Sequence, residues 1–148
     1  MDERPPVAHP FALSTDAIVE RLTSPVGRQT DLPDDPQRAA VLVVLADDVD
    51  GNAGVLLTRR SRQMRNHSGE ISFPGGRLDP GETAEQAALR EAWEEVALEP
   101  STVHVVGSLD HLARPASHSY IVPIVGWIDR QLPLEPASIE AERVLWLP

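Results

Sequence analysis

Hydrophobic positions fall into short runs separated by polar turns along most of the chain. "AAVLVVLA", Ala39 to Ala46, is continuous and β-branched, which predicts a buried strand. "DDVDGNAG" follows as a turn and "VLLTRR" as the next strand. "EISFPGG" reads as a strand entering a tight glycine turn, in which Gly75 and Gly76 expose their carbonyls. "PSTVHVVGSLD" and "SYIVPIVGWID" predict two further strands, with Pro123 suggesting an edge or a bulge, and "RVLWLP" predicts the last. One stretch changes to helical spacing. Thr83 and Gln86 form a T-x-x-Q capping box, so a helix begins at Thr83 and runs through about Val96. Leu89, Ala92 and Val96 make its buried stripe. Ala84, Ala87 and Ala88 share the glutamate side, where small residues let the loop "FPGGRLDPGE" fold back over the helix start. Residues 1–37, rich in proline, predict an extended arm with one short helix from Ser14 to Leu22, capped by Ser14. The expected organisation is an arm at 1–37 and one α+β domain at 38–148, with sheet and helices in layers.

Composition narrows the function classes. A chain of 148 residues, 41% hydrophobic, suits one domain with a real core and excludes a disordered chain. No apolar run approaches the length of a membrane span, and "MDERPPVAHP" lacks the basic and apolar regions of a signal peptide. Without cysteine there is no disulfide and no thiolate metal site, so the cytoplasm is the default expectation. A net charge of −10 opposes a broad nucleic-acid or membrane surface. Every basic residue is arginine, which codon bias alone would explain, but Arg59, Arg60, Arg62 and Arg65 crowd into one short segment, where a local anion site is the alternative reading. The acidic turn fails as a calcium loop, because Ala53 stands at the required glycine and Arg59 at the terminal glutamate. His104, His111 and His118 are evenly spaced but on no helix, and read as structural or exposed.

The helix concentrates negative charge. Glu82, Glu85, Glu91, Glu94 and Glu95 lie on or just before it. Two carboxylates about 4 Å apart cost each other roughly 4 kcal/mol at an effective dielectric near 20. Glu91 and Glu95 share a face, with Glu94 one turn from Glu91. Either this face is solvated, or Glu82, Glu91, Glu94 and Glu95 converge beside the Gly76 carbonyl on a cation. An oxygen-only site of that kind suits Mg²⁺ or Mn²⁺. Arg90 can orient one glutamate by a bidentate pair.

The stretch Gly75 to Leu98 resembles the Nudix box, G-x5-E-x7-R-E-U-x-E-E-x-G-U, where U is aliphatic. Gly76, Glu82, Arg90, Glu91, Glu94, Glu95 and Leu98 fall on its positions. Ala92 departs mildly, and Ala97 stands where a glycine usually ends the helix with a positive φ. Upstream, "LLTRRSRQMRNHSGEISFPGG" is similar to the signature of the coenzyme A pyrophosphatase branch, L-L-T-x-R-S-x3-R-x3-G-x3-F-P-G-G. The resemblance implies an α/β/α sandwich with a mixed sheet between helices. The tail departs from it, since "RVLWLP" ends where relatives continue into a further helix, so a C-terminal helix is expected to be absent.

The implied reaction is hydrolysis of a nucleoside diphosphate linked to another moiety, here coenzyme A or an acyl form, giving 4′-phosphopantetheine and 3′,5′-ADP. Glu91, Glu94, Glu95 and Arg90 would be catalytic. Glu91, Glu94 and Glu95, with Glu82 as ligand or orienter and Gly76 through its carbonyl, would hold Mg²⁺ or Mn²⁺. Glu91 is the favoured general base, with Glu140 or Glu142 as downstream alternatives. Arg59, Arg60, Ser61, Arg65 and Gly69 would bind substrate, though strand alternation turns Arg59 and Arg60 to opposite sides. Phe73 and Pro74 are expected to pack and shape the loop. Two other readings stay open: a hydrolase for ADP-ribose, a dinucleotide or a damaged nucleoside triphosphate, and a binding module without turnover. A homodimer is compatible with the family.

Overall fold

The computed structural model describes residues 13–22, 26–63, 65 and 68–148. Its elements are α1 (Thr15–Glu20), β1 (Gln37–Asp47), β2 (Ala53–Arg60), β3 (Ile71–Ser72), β4 (Gly75–Arg77), α2 (Ala84–Val96), β5 (His104–Ser108), β6 (Leu112–Arg114), β7 (Ser119–Trp127) and β8 (Ala141–Leu147). They form an α+β sandwich around one mixed sheet. β1 is its spine, parallel to β7 along one edge from Gln37↔Ser119 to Leu45↔Trp127. Along the other edge it pairs antiparallel with β4 near Ala40↔Gly76 and with β2 near Ala46↔Gly54. β2 then diverges from β1, held by β8 on its far side. The segment from β3 to β4 fills the split, pairing first with β2 and then with β1.

Alternation along β1 separates the two faces. Ala40, Leu42, Val44 and Ala46 are fully buried and meet Ala87, Ala88, Ala92 and Val96 of α2, with Leu56, Leu98, Ile124 and Ile128 completing the core. At about 25 cal/mol per Å² of apolar surface, this small-residue interface lets helix and sheet approach closely. Val41, Val43, Leu57, Ile121 and Pro123 instead line the opposite face.

Both helix starts follow their local signals. Ser14 Oγ accepts from Ala17 N, and Thr83 and Gln86 make the reciprocal capping box. The turn after β1 is closed by Asp48, whose Oδ1 accepts from Asp50 and Asn52 N–H groups. The arm at Val26 to Arg28 is tied to the sheet through Gly27 N to Ser108 Oγ and Arg28 N to Asp110 Oδ1. Residues 1–12 of the expected arm lie outside the described residues.

Three expectations are corrected. Gly75 and Gly76 form a strand, because their backbone completes β1 where β2 has left it. Ala87 and Ala88 pack in the core, so the helix buries a wider stripe than the one through Leu89, which is only half-buried. Pro123 lies in an interior strand and not at an edge, while the bulge expected with it is present: Leu109, Asp110 and His111 face only Val122 and Pro123 between β5 and β6. The Pro123 carbonyl accepts from Leu109 N. A strand residue's N and O point the same way, so its missing N–H faces the break between β5 and β6 and forfeits no ladder bond.

Candidate active site

Thirteen residues of helix carry the acidic cluster, and its rotation is set by the buried alanines. That rotation aims Glu91 and Glu95 at β4. A Cβ on Gly76 would stand 2.5 Å from Glu91 Oε1 and 2.6 Å from its Cδ. Only glycine leaves room for this carboxylate against the strand. Gly75 N–H donates to the Glu95 carboxylate, from the strand edge that faces the split. A turn would present carbonyls here; the strand presents space and a donor.

Arg90 organises the remainder. Its Nε and Nη2 grip Glu82 at 2.8 and 3.0 Å, the bidentate geometry that matches guanidinium to carboxylate. Nη1 donates to Glu91 Oε1 at 3.0 Å and Glu94 Oε2 at 3.2 Å, and Nη2 also donates to the Arg77 carbonyl at 3.1 Å. All five guanidinium donors are thus engaged. Glu82 is fixed from its other side by Asp79 N–H at 2.9 Å. Arg90 and this amide hold the Glu82 carboxyl below its ordinary range, and the same pairing raises the arginine further.

Glu91 and Glu95 are different. Burial pushes Glu91 up, against the pull of Arg90, with Glu94 and Glu140 adding repulsion. Burial pushes Glu95 up to about 8, and Glu91 and Glu140 add to it, while the Gly75 amide and Arg60 oppose. The protein therefore holds more carboxylate here than its own cations neutralise. Glu140 reaches the cluster because the backbone just before β8 bonds to the end of β2, where Ser61 N donates to the Glu140 carbonyl at 2.8 Å. The sequence offers it only as an alternative base, and nothing local marks it, because the pairing of β8 with β2 brings it in. The donor role of Gly75 is likewise invisible in the sequence, because it depends on β4 forming a strand.

The arginines separate. Arg60 acts on Glu95, whereas Arg59 approaches Glu142 at 3.9 Å, so neighbours on β2 serve different partners. A bulge at Arg59/Arg60 leaves Glu142 as the extra residue on β8. Arg59 Nε is buried without a hydrogen-bond partner among the described residues. Arg62 and Arg65 are exposed. Gly69, at φ +73°, closes the β2–β3 loop, with its N–H donating to the Arg60 carbonyl at 3.1 Å, and this conformation itself calls for glycine. Ser61 Oγ accepts from Gln63 N at 3.3 Å. Pro74 is fully buried and its carbonyl accepts from Leu42 N at 2.7 Å. His104 stacks on Trp127, His111 bonds Tyr120, and His118 donates to the Asp34 carbonyl.

Oxygen-only donors with unneutralised charge fit a hard divalent cation in kind. Among the described residues no three His, Asp or Glu side chains already surround one point, because Arg90 draws Glu82, Glu91 and Glu94 toward itself. Glu94 is half-exposed and tied by one bond, so it is free to turn.

Residues 36–148 match the model of the NUDIX domain. Nudix hydrolase 3 of Caenorhabditis elegans is 42% identical over 105 residues, covering 71% of this chain and 43% of that protein. The uncharacterized Nudix hydrolase NudL of Escherichia fergusonii is 39% identical over 113 residues, covering 76% and 57%. The chain thus spans about half the length of these relatives. Among solved structures, the Nudix hydrolase RenU of M. smegmatis aligns with a TM-score of 0.64 at 27% identity, over 75% of this chain and 70% of that one.

Proposed function

The chain belongs to the NUDIX domain family, and from that premise we propose that it is a divalent-metal-dependent pyrophosphohydrolase acting on coenzyme A or an acyl-coenzyme A. The observation that carries the reading is the paired carboxylates of Glu91 and Glu95, pressed against β4 beside Glu140, with both carboxyl groups raised. Glu91, Glu94 and Glu95 would hold Mg²⁺ or Mn²⁺; the Gly76 carbonyl expected beside them lies on the side of β4 that faces β1. A bound divalent ion would neutralise charge on the pyrophosphate oxygens and lower the pKa of attacking water. Glu82, gripped by Arg90, acts as the orienter of that arginine, and Arg90 in turn sets the Glu91 carboxylate. Glu91 is our choice of general base, with Glu140 as its nearest alternative.

The coenzyme A class rests on the signature between Leu56 and Gly76, and on Arg59, Arg60, Ser61, Arg65 and Gly69 within it. Arg60, beside Glu95, is the member best placed to meet a phosphate there. A cytoplasmic setting belongs to the same reading. The intact glutamate set argues against a binding module without turnover. The test is hydrolysis of a panel with Mg²⁺ or Mn²⁺: coenzyme A, acyl-coenzyme A, ADP-ribose, a dinucleotide and a nucleoside triphosphate, with products identified by mass. Formation of 4′-phosphopantetheine and 3′,5′-ADP is expected. Preferred cleavage of ADP-ribose or a dinucleotide would move the substrate class while keeping the chemistry.

A further inference from the structure

Between β7 and β8 the chain runs along the α2 side of the sheet, where Leu132 and Leu134 pack on the core and Trp146 Nε1 donates to the Leu132 carbonyl at 2.9 Å. Ala137 N–H then donates at 2.7 Å to the carbonyl of Glu95, one of the last-turn carbonyls that the exit of α2 at Ala97 leaves without a helix donor. A short turn follows. Ser138 Oγ accepts from Glu140 N–H at 3.1 Å, and the Ser138 carbonyl accepts from Ala141 N–H at 3.3 Å. The Glu140 carbonyl accepts from Ser61 N–H at 2.8 Å. The turn is thus tied at one end to Glu95 and at the other to the residue after Arg60.

At the centre of this turn Ile139 is 92% exposed. Single apolar side chains on a surface are ordinary, and Val49, fully exposed in the turn closed by Asp48, is one of them. Ile139 differs in two respects. Its backbone is held from both sides, so the side chain is presented at a fixed place. Its neighbour Glu140 is close enough to repel Glu91 and Glu95, so a branched aliphatic group stands one residue, about 3.8 Å along the chain, from the carboxylate cluster. On the coenzyme A reading, the group held at that cluster is a pyrophosphate whose pantetheine arm begins with a CH2 and then a carbon bearing two methyl groups. Hydrocarbon branching this near the phosphate separates coenzyme A from ADP-ribose and from dinucleotides, which follow the same CH2 with a sugar ring of ether and hydroxyl oxygens. The glutamates and Arg60 act on phosphate charge, which all these substrates share. An isoleucine gains by covering methyl groups and loses by covering hydroxyls. We propose that Ile139 is a specificity-determining residue that packs on the geminal methyls of the pantetheine arm. The inference rests on the coenzyme A reading for the identity of the substrate, and its test reads binding as well as turnover.

The experiment is calorimetric binding, with Mg²⁺, of 4′-phosphopantetheine and of the same molecule without its geminal methyls, to the wild type, Ile139→Ser, Ile139→Val and Val49→Ser. Covering the methyls should make the wild type favour the natural ligand by about tenfold. Ile139 lies outside the core, so Ile139→Ser should melt in denaturant as the wild type does and erase the preference. Ile139→Val keeps a branched side chain and should retain most of it, and Val49→Ser should retain all of it. In turnover, Ile139→Ser should lower kcat/KM for coenzyme A by about tenfold and leave that for ADP-ribose unchanged. Equal binding of both ligands by the wild type overturns the inference, as does a preference that survives in Ile139→Ser. Coenzyme A cleavage without a methyl preference leaves the proposed function standing and removes this inference. A methyl preference that is lost in Ile139→Ser, with no cleavage of coenzyme A, does the reverse.

Discussion

Gly76→Ala should separate activity from stability. The added methyl would stand 2.5 Å from Glu91 Oε1, where ordinary contact begins at 3.4 Å, so the carboxylate must retreat by about 1 Å. What it meets is the end of a side chain, which can move. The retreat weakens one Arg90 bond, now 3.0 Å, while alanine restricts the unfolded chain by about 0.4–1 kcal/mol in the opposite sense. Net stability should change by less than about 1 kcal/mol. A 1 Å misplacement of a catalytic group costs on the order of 100-fold in rate, so metal-dependent turnover should fall by about that factor. Gly75→Ala is the control, because its methyl would strike the Ala40 carbonyl and Val41 Cα. Backbone cannot step aside, and about 3 kcal/mol of stability should be lost. The assay is denaturant melting of both variants beside kcat for coenzyme A with Mg²⁺ or Mn²⁺. Wild-type turnover in Gly76→Ala, or a melting loss as large as that of Gly75→Ala, would refute the claim that this glycine exists to admit Glu91.

Glu95, raised from 4.5 to about 8, holds a proton in the folded state that the unfolded chain releases. Stability of the metal-free protein should therefore fall as pH rises from about 5 to 8, by on the order of 3 kcal/mol. Thermal melts in chelator should show this slope, Glu95→Gln should remove most of it, and added Mg²⁺ or Mn²⁺ should flatten it. Ala97 sits at φ 56° and ψ 31°, so Ala97→Gly should stabilise by about 0.5–1 kcal/mol in denaturant melts; a clear loss would mean the helix end is held by something other than backbone conformation. Arg60→Ala should raise KM for coenzyme A by about 10- to 100-fold, and by less for dephospho-coenzyme A. Equal losses on both substrates would place Arg60 at the pyrophosphate rather than at the 3′-phosphate.

The limits of α2 were legible in the sequence because they are local. Thr83 and Gln86 cap each other across three residues, and Ala97 leaves the helix in the left-handed conformation expected where the family motif has glycine. The acidic composition of the helix, the buried run of β1 and the turn at Asp48 are local in the same sense. Partnership was not legible. Whether "FPGG" turns or pairs depends on β2 leaving β1, which no nearby residue encodes. Pro123 reads as an edge or a bulge residue, and only the break between β5 and β6, which supplies a place for its missing N–H, decides for the bulge. Ala87 and Ala88 read as clearance for a loop until the sheet is present to bury them. The division of the glutamates is the strongest case. Spacing put Glu82, Glu91, Glu94 and Glu95 near one another, but only packing gave Glu82 to Arg90, pushed Glu95 against a strand amide, and brought in Glu140 from the segment just before β8. Backbone periodicity and caps act over a turn or two of chain, whereas desolvation and charge coupling depend on which distant segments close over a group.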